Sequence, residues 1–351
     1  MVTDQSSPQS RRRSVTSIDV ARAAGVSQST VSLVISGKAT GRVSDETQLL
    51  VEETAQRLGY IPNASARMLR GGSPRVIALA VPNVRHEYFA RVLLAAEHAA
   101  RQREMAVILV DTASGPEWVE RLIAMSRTGL LAGAIVYAEE PEGTLHLGQS
   151  LDNVVFVECV SPGGRPAIDI DIADAMRQVV AHLHSLGHRR IGHARASMAR
   201  ETFRLRSEHL RAALAKRGIS LRPAWEYESD FDLEGATERA VAFLRETPVT
   251  AVFCDDDFLA ASLYRAARLL DLRIPDDLSV VGFNDIDLTR YLSPELTSVS
   301  IPAADVGETA VRTLIGPLEG PVPPVQTLPL SLIVRGSTGR VRRARSKSVP
   351  D

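Results

Sequence analysis

Cysteine is almost missing from this chain of 351 residues: there are two, Cys159 and Cys254, each inside an apolar run that reads as a buried strand. Two such thiols provide no disulfide framework and fit a reducing compartment, so a cytoplasmic location is expected. No apolar run approaches the length needed to cross a bilayer, which excludes a membrane anchor and a membrane partner. A glycine-rich phosphate loop is missing, and so is a convincing set of nucleophile, base and orienting group; catalysis is therefore not expected, and no cofactor is implied. Net charge is nearly absent too, at −1, while 44% hydrophobic and 24% charged residues are ordinary for a globular chain of two or three compact units.

The even overall charge hides an asymmetry. Residues 1–75 carry ten Lys and Arg against six Asp and Glu, and the remainder is acidic. A modest positive field therefore sits over the amino-terminal part. Residues 1–14, with Arg11, Arg12 and Arg13, have no apolar core; they are expected to be a disordered basic tail rather than a signal peptide, and 339–351 a second tail.

What the chain does contain is concentrated in residues 15–71. Thr16 followed by Asp19 suits a helix start, because the hydroxyl caps a free N–H while the carboxylate reaches back. That helix should run to about Ala24, with Gly25 making the turn and Ser27 capping the next. Ile18, Val20 and Ala21 with Val26, Val31 and Val34 supply a shared apolar face, leaving Gln28, Ser29, Ser32 and Leu33 outward. A pair packed in this way is a helix-turn-helix. Its second helix enters the major groove, which makes Gln28, Ser29 and Leu33 the base-edge candidates and Thr16, Ser27, Thr30 and Ser32 the phosphate candidates. A third helix follows, capped by Ser44, with Asp45 and Glu46 in its first turn, Leu50, Val51, Ala55 and Leu58 as its apolar face and Gly59 as its stop. The plainer alternative is a three-helix module that packs against protein.

The run from Asp19 to Ser32 (D-V-A-x-x-A-G-V-S-x-x-T-V-S) and the run from Tyr60 to Leu69 (Y-x-P-N-x-x-A-R-x-L) resemble the DNA-binding headpiece of the lactose/purine repressor (LacI/GalR) family of bacterial regulators. The resemblance implies a headpiece over 15–62 and a hinge helix and linker over 63–74. It also implies that the hinge forms on the operator and places Asn63, Ala66, Arg67 and Leu69 in the minor groove, with Leu69 as an apolar wedge. Leu33 departs from the family, which more often has a polar reader there, and the Gly37–Arg42 loop is slightly longer.

Beyond the break at Gly71–Pro74, short apolar runs alternate with amphipathic stretches: Val76–Val81, Met105–Val110, Ala132–Val136, Val154–Val157, Arg190–His193, Thr250–Cys254 and Leu278–Phe283. Such alternation means βαβ units and parallel sheets covered on both faces. The span is long for one sheet. Two subdomains with a cleft are expected, roughly 75–170 with 303–330 and 171–302 with 331–338. The fold class is thus an all-α helix-turn-helix headpiece joined to an α/β core of two parallel-sheet subdomains, and this half is similar to the periplasmic-binding-protein-like core of the same family. Ligands in open α/β sheets bind at the carboxyl ends of strands.

The resemblance implies an effector site made from Asn83, Tyr88, Phe89, Asp171, Arg200, Thr202, Arg206, Phe231, Asp257 and Asn284, with aromatic faces stacking on a sugar or a purine. Asn284 stands where many relatives have an acid. Arg206 could instead pair with Glu201 or Glu208 on the surface. Asp255–Asp257 could suggest a divalent metal, although one inward carboxylate, Asp257, with its two neighbours solvated or capping, is the favoured reading and no metal is expected. The family implies a dimer, a pseudo-palindromic DNA operator, a carbohydrate effector and nucleoid association when DNA-bound. A solute-binding receptor and an α/β enzyme are the alternatives that the same cleft would serve.

Overall fold

The computed structural model describes residues 15–60, 74–113, 115, 117–137, 141–159, 164–198, 200–316 and 325–341. The tail 1–14 and the hinge residues Asn63, Ala66, Arg67 and Leu69 lie outside the described residues. Two compact units result, Met1–Pro74 and Arg75–Asp351.

In the first unit, α1 (Ser17–Ala24) opens with a reciprocal cap: Thr16 Oγ1 accepts from Asp19 N, and Asp19 Oδ2 accepts from Thr16 N at 2.9 Å. Gly25 ends it at φ +67, a left-handed turn that costs a glycine little. Ser27 caps α2 (Gln28–Ile35), accepting from Thr30 N at 3.1 Å, and Ser44 caps α3 (Asp45–Leu58). The core between the helices is Val20, Ala21, Ala24, Val31, Val34, Ala39, Val51 and Ala55. Of the other expected core residues, Val26 and Leu58 pack against it partly buried, and two lie at the surface: Ile18 is 52% and Leu50 is 45% exposed. Ile18 lies two places before the fully buried Val20 and Leu50 one place before the fully buried Val51, so the 3.6-residue period carries both off the packed stripe.

The second unit holds two six-stranded sheets. The first has β1 (Val76–Val81), β2 (Ala106–Asp111), β3 (Leu131–Val136), β4 (Val154–Val157), β5 (Ala167–Ile170) and, late in the chain, β11 (Val325–Leu328), in the order β11-β5-β4-β3-β1-β2. The second has β6 (Ile191–Ala196), β7 (Glu226–Ser229), β8 (Ala251–Cys254), β9 (Ser279–Asn284), β10 (Thr297–Ser300) and β12 (Ser331–Ile333), in the order β12-β10-β9-β8-β6-β7. The described pairings are parallel except β10 with β12, which is antiparallel. A short strand added at the end of the chain can reach an edge from either direction, which the alternation pattern did not reveal.

Helices cover both sheets: α4 (Glu87–Arg101), α5 (Glu117–Arg127) and α6 (Pro141–Ser150) with the first, and α7 (Ile172–Ser185), α8 (Glu201–Ala215), α9 (Leu233–Glu246), α10 (Asp257–Leu269) and the short α11 (Leu288–Tyr291) with the second. The next helix, α12 (Ala303–Leu314), returns to the first sheet and packs against α4. Gly307 allows the approach, because a Cβ there would lie 2.4 Å from the carbonyl oxygen of Val92 and 2.9 Å from Ala95 Cβ. The chain therefore passes between the sheets three times, at 170–172, 300–303 and 328–331. Residues 339–341, expected to belong to a free tail, are held: His188 Nε2 meets Gly339 O at 3.0 Å and Val341 N donates to Leu186 O at 3.0 Å. Among the described residues no helix is long and apolar enough to cross a membrane.

Candidate functional site

Strand ends from both sheets meet at one cavity. Asn83 follows β1, Glu158 follows β4, Met198 follows β6, Phe231 follows β7, Asp256 follows β8 and Asn284 ends β9, all of them at carboxyl ends. The starts of α4 and α8 add His86, Tyr88, Phe89, Arg200, Thr202, Phe203 and Arg206. Glu158 (φ +52) and Asn284 (φ +105) hold positive φ angles that side chains other than glycine seldom adopt, a strain that tends to gather at ligand sites.

Eight of the ten residues named from the sequence line this cavity: Asn83, Tyr88, Phe89, Arg200, Thr202, Arg206, Phe231 and Asn284. Arg206 is 3% exposed and does not pair on the surface; that part falls to Arg204, which bridges Glu201 and Glu208. Arg206 donates to the Asp255 carbonyl and, at 3.1 Å, to Thr202 Oγ1, and its guanidinium carbon lies 3.6 Å from the Phe283 ring centroid. Among the described residues its buried Nε has no hydrogen-bond partner. Burial pulls the guanidinium below its ordinary value, against the carboxylates of Asp255, Glu158 and Asp256.

Asp171 and Asp257 do not line the cavity. Asp171 caps α7, accepting from Asp174 N at 2.8 Å. Asp257 is fully buried, and its oxygens accept from Ser298 Oγ at 2.6 Å and from Ile286 N at 3.0 Å, so it pins the loop after β9. Burial, together with the neighbouring Asp256, pushes the Asp257 carboxyl well above its ordinary value. Its neighbours are not solvated, since Asp255 and Asp256 are 1% and 2% exposed, but Asp256 does cap α10, accepting from Phe258 N at 2.8 Å. Asp255 Oδ1 meets His193 Nε2 at 2.8 Å, while Asp256 is the acid that reaches the cavity. No cluster of three or more His, Cys, Asp or Glu among the described residues could hold a metal ion.

The sequence reading missed His86, Glu158, Met198, Phe203 and Asp256. His86 and Asp256 join the two sheets across the cavity, with His86 Nε2 at 2.9 Å from Asp256 Oδ2, an oxygen that also accepts from Asn284 Nδ2 at 2.6 Å. Nearby, Arg91 on α4 donates to Asp285 O at 3.0 Å and pairs with Asp287 at 2.8 Å. Glu158 accepts from the Tyr88 hydroxyl, which also lies 3.1 Å from that of Tyr137. Burial raises the Glu158 carboxyl, with the Tyr88 hydrogen bond and Arg206 opposing. A lone charge directly after four apolar strand residues was the available signal for Glu158.

On the first unit, Gln28 and Ser29 are exposed and Leu33 is partly so. Ser27 Oγ lies 2.7 Å from Ser29 Oγ and 2.8 Å from Thr30 Oγ1, so these hydroxyls form one net. The Thr16 hydroxyl is held by Asp19 at 2.7 Å, and Ser32 is partly exposed.

Residues 17–63 match the family described as bacterial regulatory proteins, lacI family, and residues 180–338 match a periplasmic binding protein-like domain. The chain is 31% identical to the ribose operon repressor of Haemophilus influenzae over 89% of its own length and 94% of that protein. It is 28% identical to the transcriptional repressor CytR of Escherichia coli strain K12 over 91% and 95% of the two chains. Among solved structures, the Lac repressor dimer bound to operator and the anti-inducer ONPF has a TM-score of 0.83 and 26% identity, covering 93% of this chain and all of that one. A complex of the regulator CelR with cellobiose has a TM-score of 0.67 and 26% identity, covering 92% and 99%.

Proposed function

Because the chain belongs to the lacI family of bacterial regulatory proteins, as a transcriptional repressor with an effector-binding core, we propose that it binds a pseudo-palindromic operator as a dimer and that a carbohydrate in the cavity sets its operator affinity. A two-fold protein matches a two-fold site, and by linkage the operator must alter effector affinity by the same factor as the effector alters operator affinity. The reading assigns base contacts to Gln28, Ser29 and Leu33, the last through apolar contact with a thymine methyl, and phosphate contacts to Thr16, Ser27, Thr30 and Ser32. The hinge contacts of Asn63, Ala66, Arg67 and Leu69 belong to the same proposal.

The observation that carries the effector class is the lining of the cavity. It offers two guanidinium groups (Arg200, Arg206), two carboxyls (Glu158, Asp256), two amides (Asn83, Asn284) and aromatic faces from Tyr88, Phe89, Phe203 and Phe231. Donors and acceptors in balance suit hydroxyl groups, each of which gives and takes a hydrogen bond, and aromatic faces suit the C–H faces of a sugar ring. A phosphate would favour donors alone. The relative named for the ribose operon and the neighbour solved with cellobiose support the same class. Thermal shifts with ribose, cellobiose, ribose 5-phosphate and adenosine test the assignment, since a ligand of the native state raises the melting temperature. A neutral sugar should shift the wild type and leave Arg206→Ala unmoved. A shift by adenosine alone, or one equal in both proteins, would refute it.

A further inference from the structure

Ser17 is the first residue of α1, directly after its cap Thr16. Thr16 and Asp19 already satisfy the start of that helix through their reciprocal bonds, so the Ser17 hydroxyl is not needed there. It is used across the turn, where Gln28 Nε2 donates to Ser17 Oγ at 3.0 Å. The shared core of Val20, Ala21, Val31 and Val34 fixes the separation of the two helices and hence of this pair.

We infer that Ser17 is a positioning residue that holds the Gln28 amide for adenine; this rests on the reading of α2 as the major-groove element. A glutamine amide has two N–H donors and a carbonyl acceptor. With one N–H on Ser17, one N–H and Oε1 remain. Those two match N7 and the N6 amino group of adenine, whereas guanine presents two acceptors there and sets its O6 against Oε1. An exposed glutamine that is already tied down loses less rotamer freedom on binding. Neither of the other two base candidates presents a donor and an acceptor side by side: Ser29 has a single hydroxyl, already 2.7 Å from that of Ser27, and Leu33 forms no side-chain hydrogen bonds.

The test selects sites from a random duplex pool with the full chain, with and without ribose or cellobiose. Affinities are then compared on duplexes carrying adenine, guanine or 7-deazaadenine at the pair read by Gln28. The wild type should enrich a palindrome with adenine at one position per half-site and lose roughly tenfold in affinity with either replacement. Ser17→Ala should bring the adenine-to-guanine ratio down toward that of Gln28→Ala, while affinity for non-specific duplex and melting temperature stay unchanged, because alanine suits a helix start as well as serine. Ser17→Thr, which keeps the hydroxyl, should restore the ratio. An enriched palindrome with an unchanged ratio in Ser17→Ala overturns the role of Ser17 and leaves the repressor reading standing; a pool that yields no palindrome under any condition overturns both.

Discussion

Arg206→Met removes the buried positive charge of the cavity while keeping an unbranched side chain over the Phe283 ring. The Asp255 carbonyl and Thr202 Oγ1 lose their donor, and Glu158 and Asp256 lose the nearby cation. A hydrogen bond from a charged group contributes about 1.5–3 kcal/mol and a desolvated cation–π contact about 2 kcal/mol. Burying a guanidinium costs several kcal/mol, and its removal offsets much of that loss. A net destabilisation of about 2 kcal/mol at pH 7.5 follows. The pH dependence gives the sharper test. Burial holds the Glu158 carboxyl above its ordinary value of 4.5, and Arg206 is among the groups that restrain the rise. A carboxyl whose folded pKa exceeds its unfolded one costs stability as pH climbs past the unfolded value, and the cost is complete above the folded one. Without Arg206 the Glu158 value rises further, so the deficit of the variant should grow once pH climbs past the raised wild-type folded value and shrink on acidification below it. Urea unfolding at pH 5 and pH 7.5, followed by tryptophan fluorescence, measures this. The two tryptophans, Trp118 and Trp225, both lie in the second unit, so the signal reports the core and not the headpiece. An equal deficit at both pH values, or none at pH 7.5, would refute the role given to Arg206.

Gly307→Ala should destabilise the core by about 1–3 kcal/mol through overpacking, since the added Cβ meets a backbone oxygen of α4 that cannot step aside; an unchanged melting temperature would contradict the close approach of α4 and α12. Asp256→Ala deletes the cap of α10 and the acceptor shared by His86 and Asn284, and should cost about 2–4 kcal/mol in the urea assay. A loss below about 1 kcal/mol would mean that His86 and Asn284 find other acceptors.

Much of this architecture is legible in local chemistry. The caps at Thr16, Ser27 and Ser44 and the left-handed stops at Gly25 and Gly59 fall where the residue types demand them. The apolar runs that become β1, β4 and β8 stand out because strands buried on both faces have no room for polar side chains. Three of the four edge strands, β7, β11 and β12, are short and mix polar with apolar residues, so they carry no such mark. Within the site, the failure at Asp255–Asp257 is geometric: three adjacent acids at a strand-to-helix junction point in different directions, and composition cannot say which one meets the cavity. His86 was missed because its part depends on Asp256, 170 residues away. Ile18 and Leu50 show the same limit on a helix surface, where one position more or less decides between core and water.

The late strands have a consequence for synthesis. β11 at 325–328 flanks β5, and β12 at 331–333 flanks β10, so each sheet awaits its last member until these residues have left the ribosome. Until then the backbone rows of β5 and β10 stay open to pairing with foreign strands. Truncation before residue 325 should therefore yield a sticky, chaperone-dependent product in place of a smaller repressor, and a nonsense mutation just ahead of that strand should behave as a null allele.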